Sequence, residues 1–498
     1  MGVPVHIIES LRLGSVGRVF VENLLSSWLL SFGSIRSDVL ALISFGLASA
    51  AMVHALLHKR VVGTAIGWIG LVWLSPILGS LLYALFGINR VSRRARQLDV
   101  KPSLAADEVP NSAPSVPASF GSLEYAVWQI TGLKALEGNA IDLLRNGDEA
   151  YPAMLEAIAE ARHSVALSSY IFRDDATGGT FFDALMAAHE RGAEVRVLID
   201  GIGGGYFVHR IYWRLRRAGV PVGLFMHSAL PWRMPFLNLR SHKKLLITDG
   251  RIAFTGGINI ADENRVALQP SHPVRDTHFR ITGPVVKQLM MAFASDWAFV
   301  MGKDLTEECW FPTLIPTGET VARVVTSGPD ADVEKIELVV LQAMICAQRT
   351  IRLATPYFLP NEVLTNVLSL AAIRGLSVDI IIPKASNHRF VDWATRAHVG
   401  PLLASGVRIW LNDPPFDHSK LLVIDDTWSF VGSANWDMRS FRLNFELNIE
   451  VYDGGFAEGL GHLMQQKMTT QLTLADLSRR STPARLRDAG VRLFLPYL

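Results

Sequence analysis

The sequence predicts an α/β protein of two similar, pseudo-symmetric halves, each with α/β/α layers, preceded by a hairpin of two membrane helices. Three observations lead to this prediction. A polar motif occurs twice at the same spacing, short β-branched runs alternate with helical stretches, and two long uncharged runs lie near the N-terminus. Alternating strands and helices favour a layered sheet. A run of about 20 apolar residues is long enough to cross a bilayer.

The N-terminal element consists of two uncharged runs, Val39–Leu57 and Val61–Phe86. We expect two transmembrane helices within residues 39–96, because each run can cross a hydrocarbon core of about 30 Å. Their connection is very short, which leaves open a hairpin that crosses the bilayer only partly. Residues 1–38 form a separate N-terminal segment, in which the apolar stretch at residues 20–32 fits an interfacial helix better than a third span.

The distribution of basic residues predicts the orientation of this hairpin. Seven basic residues flank the two runs and two lie between them, and basic residues favour the cytoplasmic side. We therefore expect a multi-pass membrane protein whose chain after the two runs is cytoplasmic. The flanking residues are Arg12, Arg18, Arg36, Arg90, Arg93, Arg94 and Arg96, and the two between the runs are Lys59 and Arg60.

Composition divides the rest of the chain into a linker and two halves. Residues 97–120 are rich in Pro, Ser, Ala and acidic residues and are predicted to be a linker, with ordered packing against the enzyme as the alternative. The halves are residues 121–310 and 311–498, each near the usual domain size. The arginines of the last twenty residues fit either a basic helix on an anionic membrane surface or the solvated face of a packing helix.

An internal repeat predicts the strands and helices of both halves. Residues 164–172 are echoed by residues 350–358, and residues 191–199 by residues 374–382, in the same order. These short β-branched runs follow helical stretches such as Tyr151–Arg162 and Phe181–Arg191, which is typical of strands alternating with helices. Duplication of a structural unit without a shared site is the simpler alternative. It is disfavoured because the repeat includes polar residues within apolar strands, where burial is costly.

The repeated motif is a His, any residue, a Lys, four residues and an Asp. It occurs as His242, Lys244 and Asp249 and again as His418, Lys420 and Asp425. A small-residue turn that ends in Asn begins fourteen positions after each His. Two copies with the same trailing turn indicate one composite site. The turns carry Asn259 in the first half and Ser433 and Asn435 in the second.

These residue types suit transfer of a phosphoryl group. One His can attack phosphorus and carry the group covalently, and a second can protonate the departing alkoxide. The two Lys supply positive charge to the transition state, and Asn259, Ser433 and Asn435 can contact phosphate oxygens. Turn formation is the alternative role for these small and amide residues. A structural role at the strand end is the alternative for the two motif Asp residues.

A His nucleophile usually needs a carboxylate that fixes its tautomer. We expect Asp276 to orient His242 and Glu446 to orient His418, because both carboxylates lie in comparable blocks that follow the motifs. Surface salt bridging is the competing interpretation. One imidazole should be neutral and the other charged in the resting state, so that their titrations are coupled.

Charge and cysteine content limit other functions. The formal net charge of +2 gives no nucleic-acid signature. The two cysteines, Cys309 and Cys346, have no spacing that indicates a disulfide framework or a zinc site. Each motif His is two residues from a Lys, whose ammonium would repel a cation. We therefore predict no metal and no cofactor.

The paired motifs resemble those of the phospholipase D superfamily. The resemblance extends from residue 39 to the C-terminus and is strongest to the two-span, membrane-anchored bacterial cardiolipin synthases. The block at residues 435–446, which includes Arg439 and Glu446, is the most specific segment, and residues 240–244 resemble the first motif block. Each half is accordingly expected to be phospholipase D-like. Ser241 and Val274 differ from the residues common in that family, which concerns substrate preference more than reaction type.

The resemblance implies that two phosphatidylglycerol molecules are joined into cardiolipin and that glycerol is released through a phosphatidyl-histidine intermediate. It implies His242 as nucleophile and His418 as general acid and base, although the pseudo-symmetry allows the reverse. Phosphatidylglycerol and membrane lipids are the expected partners, and a homo-oligomer is compatible with the sequence. The alternatives are another phosphatidyltransferase or a phospholipase that uses phosphatidylethanolamine or water as the acceptor, a nuclease, and a non-catalytic membrane scaffold.

Overall fold

The computed structural model describes residues 38–59, 62–88, 115–203, 205, 209–225, 240–328 and 332–492. The predicted interfacial helix, most of the predicted linker and the extreme C-terminus lie outside these residues. The chain divides into two compact units, residues 1–90 and 91–498.

The described residues of the N-terminal unit form three helices: α1 (Asp38–His58), α2 (Val62–Leu74) and α3 (Pro76–Leu82), the last extended by a π-helical turn at Tyr83–Gly87. Within the described residues, α1 is the one helix long and apolar enough to cross a membrane, with 21 residues and a mean hydropathy of 2.0. The second predicted span is interrupted between α2 and α3, where Pro76 begins a new helix and has no backbone N–H to continue the first. The expectation of two full spans is therefore not confirmed.

Small residues allow the helices of this unit to pack closely. Ala51 and Ala55 of α1 lie against Trp68 and Tyr83 in one apolar cluster. The Nδ1 atom of His54 is 2.8 Å from the Tyr83 hydroxyl. At the bend, a Cβ on Gly79 would lie 2.6 Å from the carbonyl oxygen of Leu71, so glycine permits the close approach of α3 to α2.

In the first half of the large unit, the part of the chain that the structure describes forms nine strands and five α-helices. The strands are β1 (Leu136–Arg145), β2 (Ser164–Ser169), β3 (Glu194–Asp200), β4 (Val222–Phe225), β5 (Arg240–Ser241), β6 (Leu245–Thr248), β7 (Ile252–Gly256), β8 (Val274–Arg275) and β9 (Thr277–Thr282). The helices are α4 (Gly121–Thr131), α5 (Asn146–Glu160), α6 (Ala176–Glu190), α7 (Arg210–Arg217) and α8 (Val285–Met301).

The second half repeats the order of the main sheet strands and contains eleven strands and eight helices within the described residues. The strands are β10 (Thr320–Ser327), β11 (Thr350–Ala354), β12 (Phe358–Leu359), β13 (Ser377–Pro383), β14 (Arg408–Asn412), β15 (Phe416–Asp417), β16 (Leu421–Ile424), β17 (Trp428–Gly432), β18 (Trp436–Asp437), β19 (Asn444–Tyr452) and β20 (Thr470–Leu472). The helices are α9 (Lys335–Cys346), α10 (Glu362–Ile373), α11 (Arg389–His398), α12 (Gly400–Ala404), α13 (Met438–Arg442), α14 (Gly454–Gln466), α15 (Leu474–Ser478) and α16 (Thr482–Arg492).

Both halves share one mixed sheet. Its strand order is β20-β14-β13-β11-β16-β17-β19-β10-β1-β9-β7-β6-β2-β3-β4, and β5 joins it through β19. Read outward from the β10–β1 pair, the two halves have the same order, which confirms the predicted repeat. The motif segments form strands β6 and β16, as their apolar residues at every second position predict, and both strands are fully buried. The predicted helices at residues 151–162 and 181–191 correspond to α5 and α6.

Helices cover both faces of this sheet, as expected for α/β/α layers. On one face, α5, α6 and α7 enclose a core with the strands of the first half. On the corresponding face of the sheet in the second half, α9 and α10 enclose another core. The opposite face has a single core to which both halves contribute, covered by α8 and α14. The two halves are therefore parts of one folding unit.

The helix α4 differs from its predicted assignment. We expected the first half to begin at residue 121, but Leu123 and Val127 of α4 are fully buried in the core of the second half. Arg323 of β10 fixes this helix by donating to the backbone carbonyl of Glu124 at 3.1 Å. Assignment of α4 to the first half is therefore wrong, because its apolar face completes the layer that covers α9.

The buried ion pair between Arg323 and Glu450 should stabilise this junction strongly. Both side chains are completely buried and directly hydrogen-bonded. We expect Glu450→Gln to lower the free energy of unfolding by about 3 kcal/mol, because the buried Arg323 loses its closest carboxylate and keeps the contact with Glu124 at 3.4 Å. Chemical denaturation measures the effect. The matched control is Glu458→Gln, whose side chain is 73% exposed, and equal stability of the two variants would contradict the prediction.

Candidate active site

The two motif histidines line one cavity of about 480 Å³ between the halves. Lys244, Asn259 and Asn435 are in the same wall. The central expectation from the sequence, that two distant motifs converge on one site, is therefore confirmed. The other side chains of the wall include Tyr170, Arg240, Glu263, Tyr357, His388, Phe390, Phe416, Asp437, Arg439 and Asn444.

Short strands position each histidine on the opposite half. Strand β5, directly before His242, pairs in parallel with the start of β19. Strand β15, directly before His418, pairs in parallel with β8. Each histidine extends its pairing by one hydrogen bond: the His242 N–H donates to the Phe445 carbonyl at 2.9 Å, and the His418 N–H to the Arg275 carbonyl at 2.7 Å.

Each of the two predicted carboxylates contacts the motif histidine of the other half of the chain. Nδ1 of His418 is 2.8 Å from Oδ2 of Asp276, and Nδ1 of His242 is 3.2 Å from Oε1 of Glu446. The predicted carboxylates are correct, but their predicted partners are wrong. The physical reason is that the short strands pair across the two halves. Asp276 follows β8, which pairs with the strand before the second motif histidine, and Glu446 lies at the start of β19, which pairs with the strand before the first. Each carboxylate therefore lies beside the histidine of the other half.

Ser433 supports a carboxylate. Its hydroxyl donates to Oε2 of Glu446 at 2.6 Å and accepts the Leu447 N–H at 2.9 Å. Because Ser433 is fully buried outside the cavity wall, its predicted contact with phosphate is corrected. The equivalent residue of the first half is Gly257, where a Cβ would lie 2.1 Å from Oδ1 of Asp276. A side chain at residue 257 would therefore displace the carboxylate that orients His418.

Asn259 and Asn435 lie where a substrate oxygen would be within reach. Oδ1 of Asn259 accepts the Ile171 N–H at 3.2 Å, which leaves its amide N–H groups for a ligand. Oδ1 of Asn435 is buried and has no hydrogen-bond partner within the described part of the chain. This oxygen only accepts hydrogen bonds, so a phosphate would bind the amide N–H groups of Asn435 and not Oδ1. Phosphate binding by these two residues stays a prediction that their positions favour.

The two motif lysines are buried beside the histidines. Nζ of Lys244 donates to the His242 carbonyl at 2.6 Å, and Nζ of Lys420 is 2.8 Å from Nδ1 of His418. Burial lowers the pKa of Lys244 to about 8 and that of Lys420 to about 7. A phosphodiester anion would raise both values, because it stabilises the charged forms.

Burial also lowers the pKa of both histidines to about 4, and Lys420 adds to the effect on His418. The expectation of one neutral and one charged ring stays a prediction, and both shifts favour the neutral imidazole. The reason is that burial outweighs the opposing charges of Glu446 and Asp276. Glu446 is ionised: although burial raises its pKa, His242, Lys244 and Ser433 together hold the pKa below its usual range.

The motif aspartates have a structural role. Asp249 follows β6 and accepts hydrogen bonds from the backbone N–H groups of residues 162–164. Asp425 follows β16 and accepts those of residues 348–350. Both lie at the strand ends that point away from the histidines, with positive φ of 49° and 54°. Their predicted catalytic role is therefore corrected in favour of the turn.

Several site residues were not singled out from the sequence. The Tyr170 ring is 4.3 Å from the His242 ring, and Tyr357 lies 6.1 Å from His418. Asn444 donates to Oε1 of Glu446 at 3.1 Å. Both Tyr residues occur in the repeated segments, so alignment of the two halves with each other would have identified them.

No group of three or more His, Cys, Asp or Glu side chains in the described ranges is arranged to hold a metal ion. The site's cationic side chains are Lys244, Lys420, Arg240 and Arg439. Chemistry without a metal ion stays a prediction.

Comparison with known proteins identifies the family. Residues 154–297 and 340–468 match the family described as cardiolipin synthase, PLD-like domain. The major cardiolipin synthase of Bacillus subtilis (strain 168) is 31% identical over 482 residues, which cover 93% of this chain and 100% of that protein. Cardiolipin synthase A of Pseudomonas aeruginosa (strain UCBPP-PA14) is 32% identical over 459 residues, which cover 90% of this chain and 92% of that protein.

A solved structure supports the fold. Phosphatidylserine synthase of Haemophilus influenzae Rd KW20 superposes with a TM-score of 0.59 and 15% identity, over 76% of this chain and 100% of that one. This likeness concerns the fold alone. The family match and the relatives together show that the chain belongs to the phospholipase D-like cardiolipin synthase family.

The corrected role of the motif aspartates predicts a loss of stability without a loss of chemistry. We expect Asp425→Asn to lower the free energy of unfolding by about 1–3 kcal/mol, because an amide nitrogen would face a backbone donor. The folded variant should keep the turnover number of the wild type. Asp426→Asn is the matched control, since Asp426 is partly exposed and pairs only with Arg352. Loss of turnover in a fully folded Asp425→Asn enzyme would restore the catalytic role.

Proposed function

We propose that this member of the cardiolipin synthase family transfers the phosphatidyl group of one phosphatidylglycerol to a second, and so forms cardiolipin and glycerol. The observation that carries the proposal is the joining of two motif histidines, each with its own carboxylate, in one cavity. Cardiolipin synthases align with nearly the whole chain, which supports the same reaction for this protein. The enzyme is a phosphatidyltransferase.

In the first step, Nε2 of one histidine attacks the phosphorus atom of the donor lipid. A phosphorus–nitrogen bond forms, the phosphorus–oxygen bond to the headgroup glycerol breaks, and the other histidine gives a proton to the departing oxygen. Resemblance to the family assigns the attack to His242 and the proton transfer to His418. The same contacts would serve the reverse assignment.

In the second step, the terminal hydroxyl of the acceptor lipid attacks the phosphatidyl-histidine. The second histidine takes up the hydroxyl proton, a new phosphorus–oxygen bond forms, and the phosphorus–nitrogen bond breaks. Glu446 and Asp276 accept from Nδ1–H of the two rings, which leaves Nε2 of the nucleophile with a free lone pair. The other ring begins the first step protonated at Nε2 as well, gives that proton to the departing oxygen, and recovers a proton from the acceptor hydroxyl. Lys244 and Lys420 stabilise the charge that develops on the phosphate oxygens.

The acceptor decides between synthesis and hydrolysis. Water or another alcohol would resolve the same intermediate by the same proton transfer, so the histidines do not select cardiolipin as the product. The cavity wall includes the apolar side chains of Phe390, Val391 and Phe416. Such a wall suits the glycerol and acyl parts of a second lipid better than water. It supports a lipid acceptor.

The N-terminal unit is proposed to anchor the enzyme in the bacterial inner membrane, where both lipid substrates reside. The helix α1 supplies one span by length and hydropathy. The helices α2 and α3 would form the returning arm of the hairpin. The excess of basic residues outside the two apolar runs supports a cytoplasmic catalytic unit.

The product assay tests this function. Purified full-length enzyme is incubated with phosphatidylglycerol in detergent micelles, and the lipids are separated. We expect cardiolipin and glycerol in equal amounts, and we expect His242→Ala and His418→Ala each to lower the rate by about 100-fold or more. His462→Ala, with a side chain 70% exposed, is the control and should behave like wild type.

Trapping the intermediate adds an independent measurement. Acid-sensitive radiolabel from a phosphatidyl-labelled donor should stay on wild-type protein and on the variant that lacks the acid–base histidine, and be absent from the variant that lacks the nucleophile. Phosphatidic acid as the sole lipid product would contradict cardiolipin synthesis. Unchanged turnover in both histidine variants would contradict the mechanism.

A further inference from the structure

We propose that Arg240 and Arg439 form a subsite that binds the unreacted phosphodiester of the acceptor lipid. The inference rests on the proposed function and deepens it, since it names the part of the second glycerophospholipid that the enzyme recognises. Both arginines are in the cavity wall that contains the two histidines. Neither belongs to the repeated motif.

Arg240 is held in place and retains capacity for a ligand. Its Nη1 donates to the Tyr170 hydroxyl at 2.8 Å, and the Tyr170 ring packs on His242. Its Nε is buried without a hydrogen-bond partner within the described residues. A guanidinium fixed at one nitrogen, with further donors available, is suited to a phosphate oxygen.

Arg439 lies close enough to Arg240 for their charges to interact. Burial lowers the pKa of Arg439, and the charge of Arg240 lowers it further. Two like charges in a partly buried wall repel each other, and an anion bound to both relieves that repulsion. Because both guanidinium groups line the cavity that contains the histidines, this wall suits an anionic ligand.

Two carboxylates near this pair, Asp437 and Asp200, offset part of its charge, while their hydrogen bonds go to backbone N–H groups. Asp437 accepts the Ser440 N–H at 2.7 Å. Asp200 accepts the N–H groups of Ile202 and Gly203 and, through its other oxygen, that of Ser241 at 2.7 Å. These contacts hold the turn before His242 and the helix that contains Arg439.

The internal repeat shows that this subsite occurs once. Arg240 stands two residues before the first motif histidine, and the equivalent residue of the second half is Phe416. Arg439 stands four residues after Asn435, and the equivalent residue of the first half is Glu263. One wall therefore has two cations where the pseudo-equivalent wall has an aromatic ring and a carboxylate. Both Phe416 and Glu263 also line the cavity.

This asymmetry matches the chemistry of joining two lipids. The donor's phosphodiester must lie between the histidines and Lys244 and Lys420. The acceptor carries a second phosphodiester that does not react, separated from its attacking hydroxyl by the glycerol backbone. An anion site on one side of the reaction centre binds that group, whereas a symmetric cavity would not distinguish the acceptor from the donor. The site recognises a phosphodiester, so phosphatidylglycerol and phosphatidylethanolamine both meet its requirement, whereas water and simple alcohols do not.

Partition of the covalent intermediate tests the subsite without interference from the donor step. The full-length enzyme in micelles receives phosphatidylglycerol together with 1-butanol, and the ratio of cardiolipin to phosphatidylbutanol is measured. Because both products arise from the same intermediate, the ratio reports acceptor recognition alone. For Arg240→Gln and Arg439→Gln we expect the ratio to fall by about tenfold or more, since each loses hydrogen bonds to a charged group. Arg162→Gln, on the exposed surface, should keep the wild-type ratio.

A wild-type ratio in Arg240→Gln and Arg439→Gln would overturn the subsite, whatever their total rate. If a glutamine variant forms no product, the corresponding Lys variant is used, which keeps the charge but loses the planar pair of donors. A lowered ratio in that variant supports the subsite, and an unchanged ratio overturns it. Failure of the wild type to form cardiolipin, with phosphatidylbutanol still produced, would instead overturn the proposed function.

Discussion

Each histidine of the site is oriented by a carboxylate from the other half of the chain, and the rest of the site depends on this exchange. The short strand before His242 pairs with the strand of Glu446, and the short strand before His418 pairs with the strand that precedes Asp276. Neither half therefore contains a complete catalytic group. The continuous sheet and the core that both halves share hold the two exchanged pairs in register, which explains why the duplicated units form one compact unit.

The shared core also anchors the loops that carry the motifs. Lys243, beside His242, bonds both carboxylate oxygens of Asp296 on α8 at 2.9 Å. In the second half, Lys467 at the end of α14 bonds Asp417, beside His418. In the first half the motif supplies the lysine and the helix supplies the aspartate, whereas in the second half the motif supplies the aspartate and the end of the helix supplies the lysine. Each ion pair nevertheless connects a motif to a helix that covers the shared core. Buried charges are costly unless paired, so these pairs restrict each motif to one position.

The repeat and the motif histidines were predictable because both are local patterns, and the layered fold followed from them. Contacts between the two halves were not predictable in this way. The partners of Asp276 and Glu446 depend on which short strands pair. A strand of two residues is too short to show a hydrophobic pattern in the sequence. Ser433 was mistaken for a phosphate ligand because its residue type suits that role equally well. Arg240 and Arg439 lie outside the repeated motif, so the local pattern does not predict the subsite proposed for them.

The crossed pairing of histidines and carboxylates is the central claim, and double-mutant cycles on stability test it directly. The free energy of unfolding is measured for Asp276→Asn combined with His418→Gln and, separately, with His242→Gln. Residues in contact typically couple by about 0.5–3 kcal/mol, while separated residues add independently. The crossed arrangement predicts coupling of Asp276 to His418 and near-additivity with His242. Coupling of Asp276 to His242, with additivity toward His418, would contradict it.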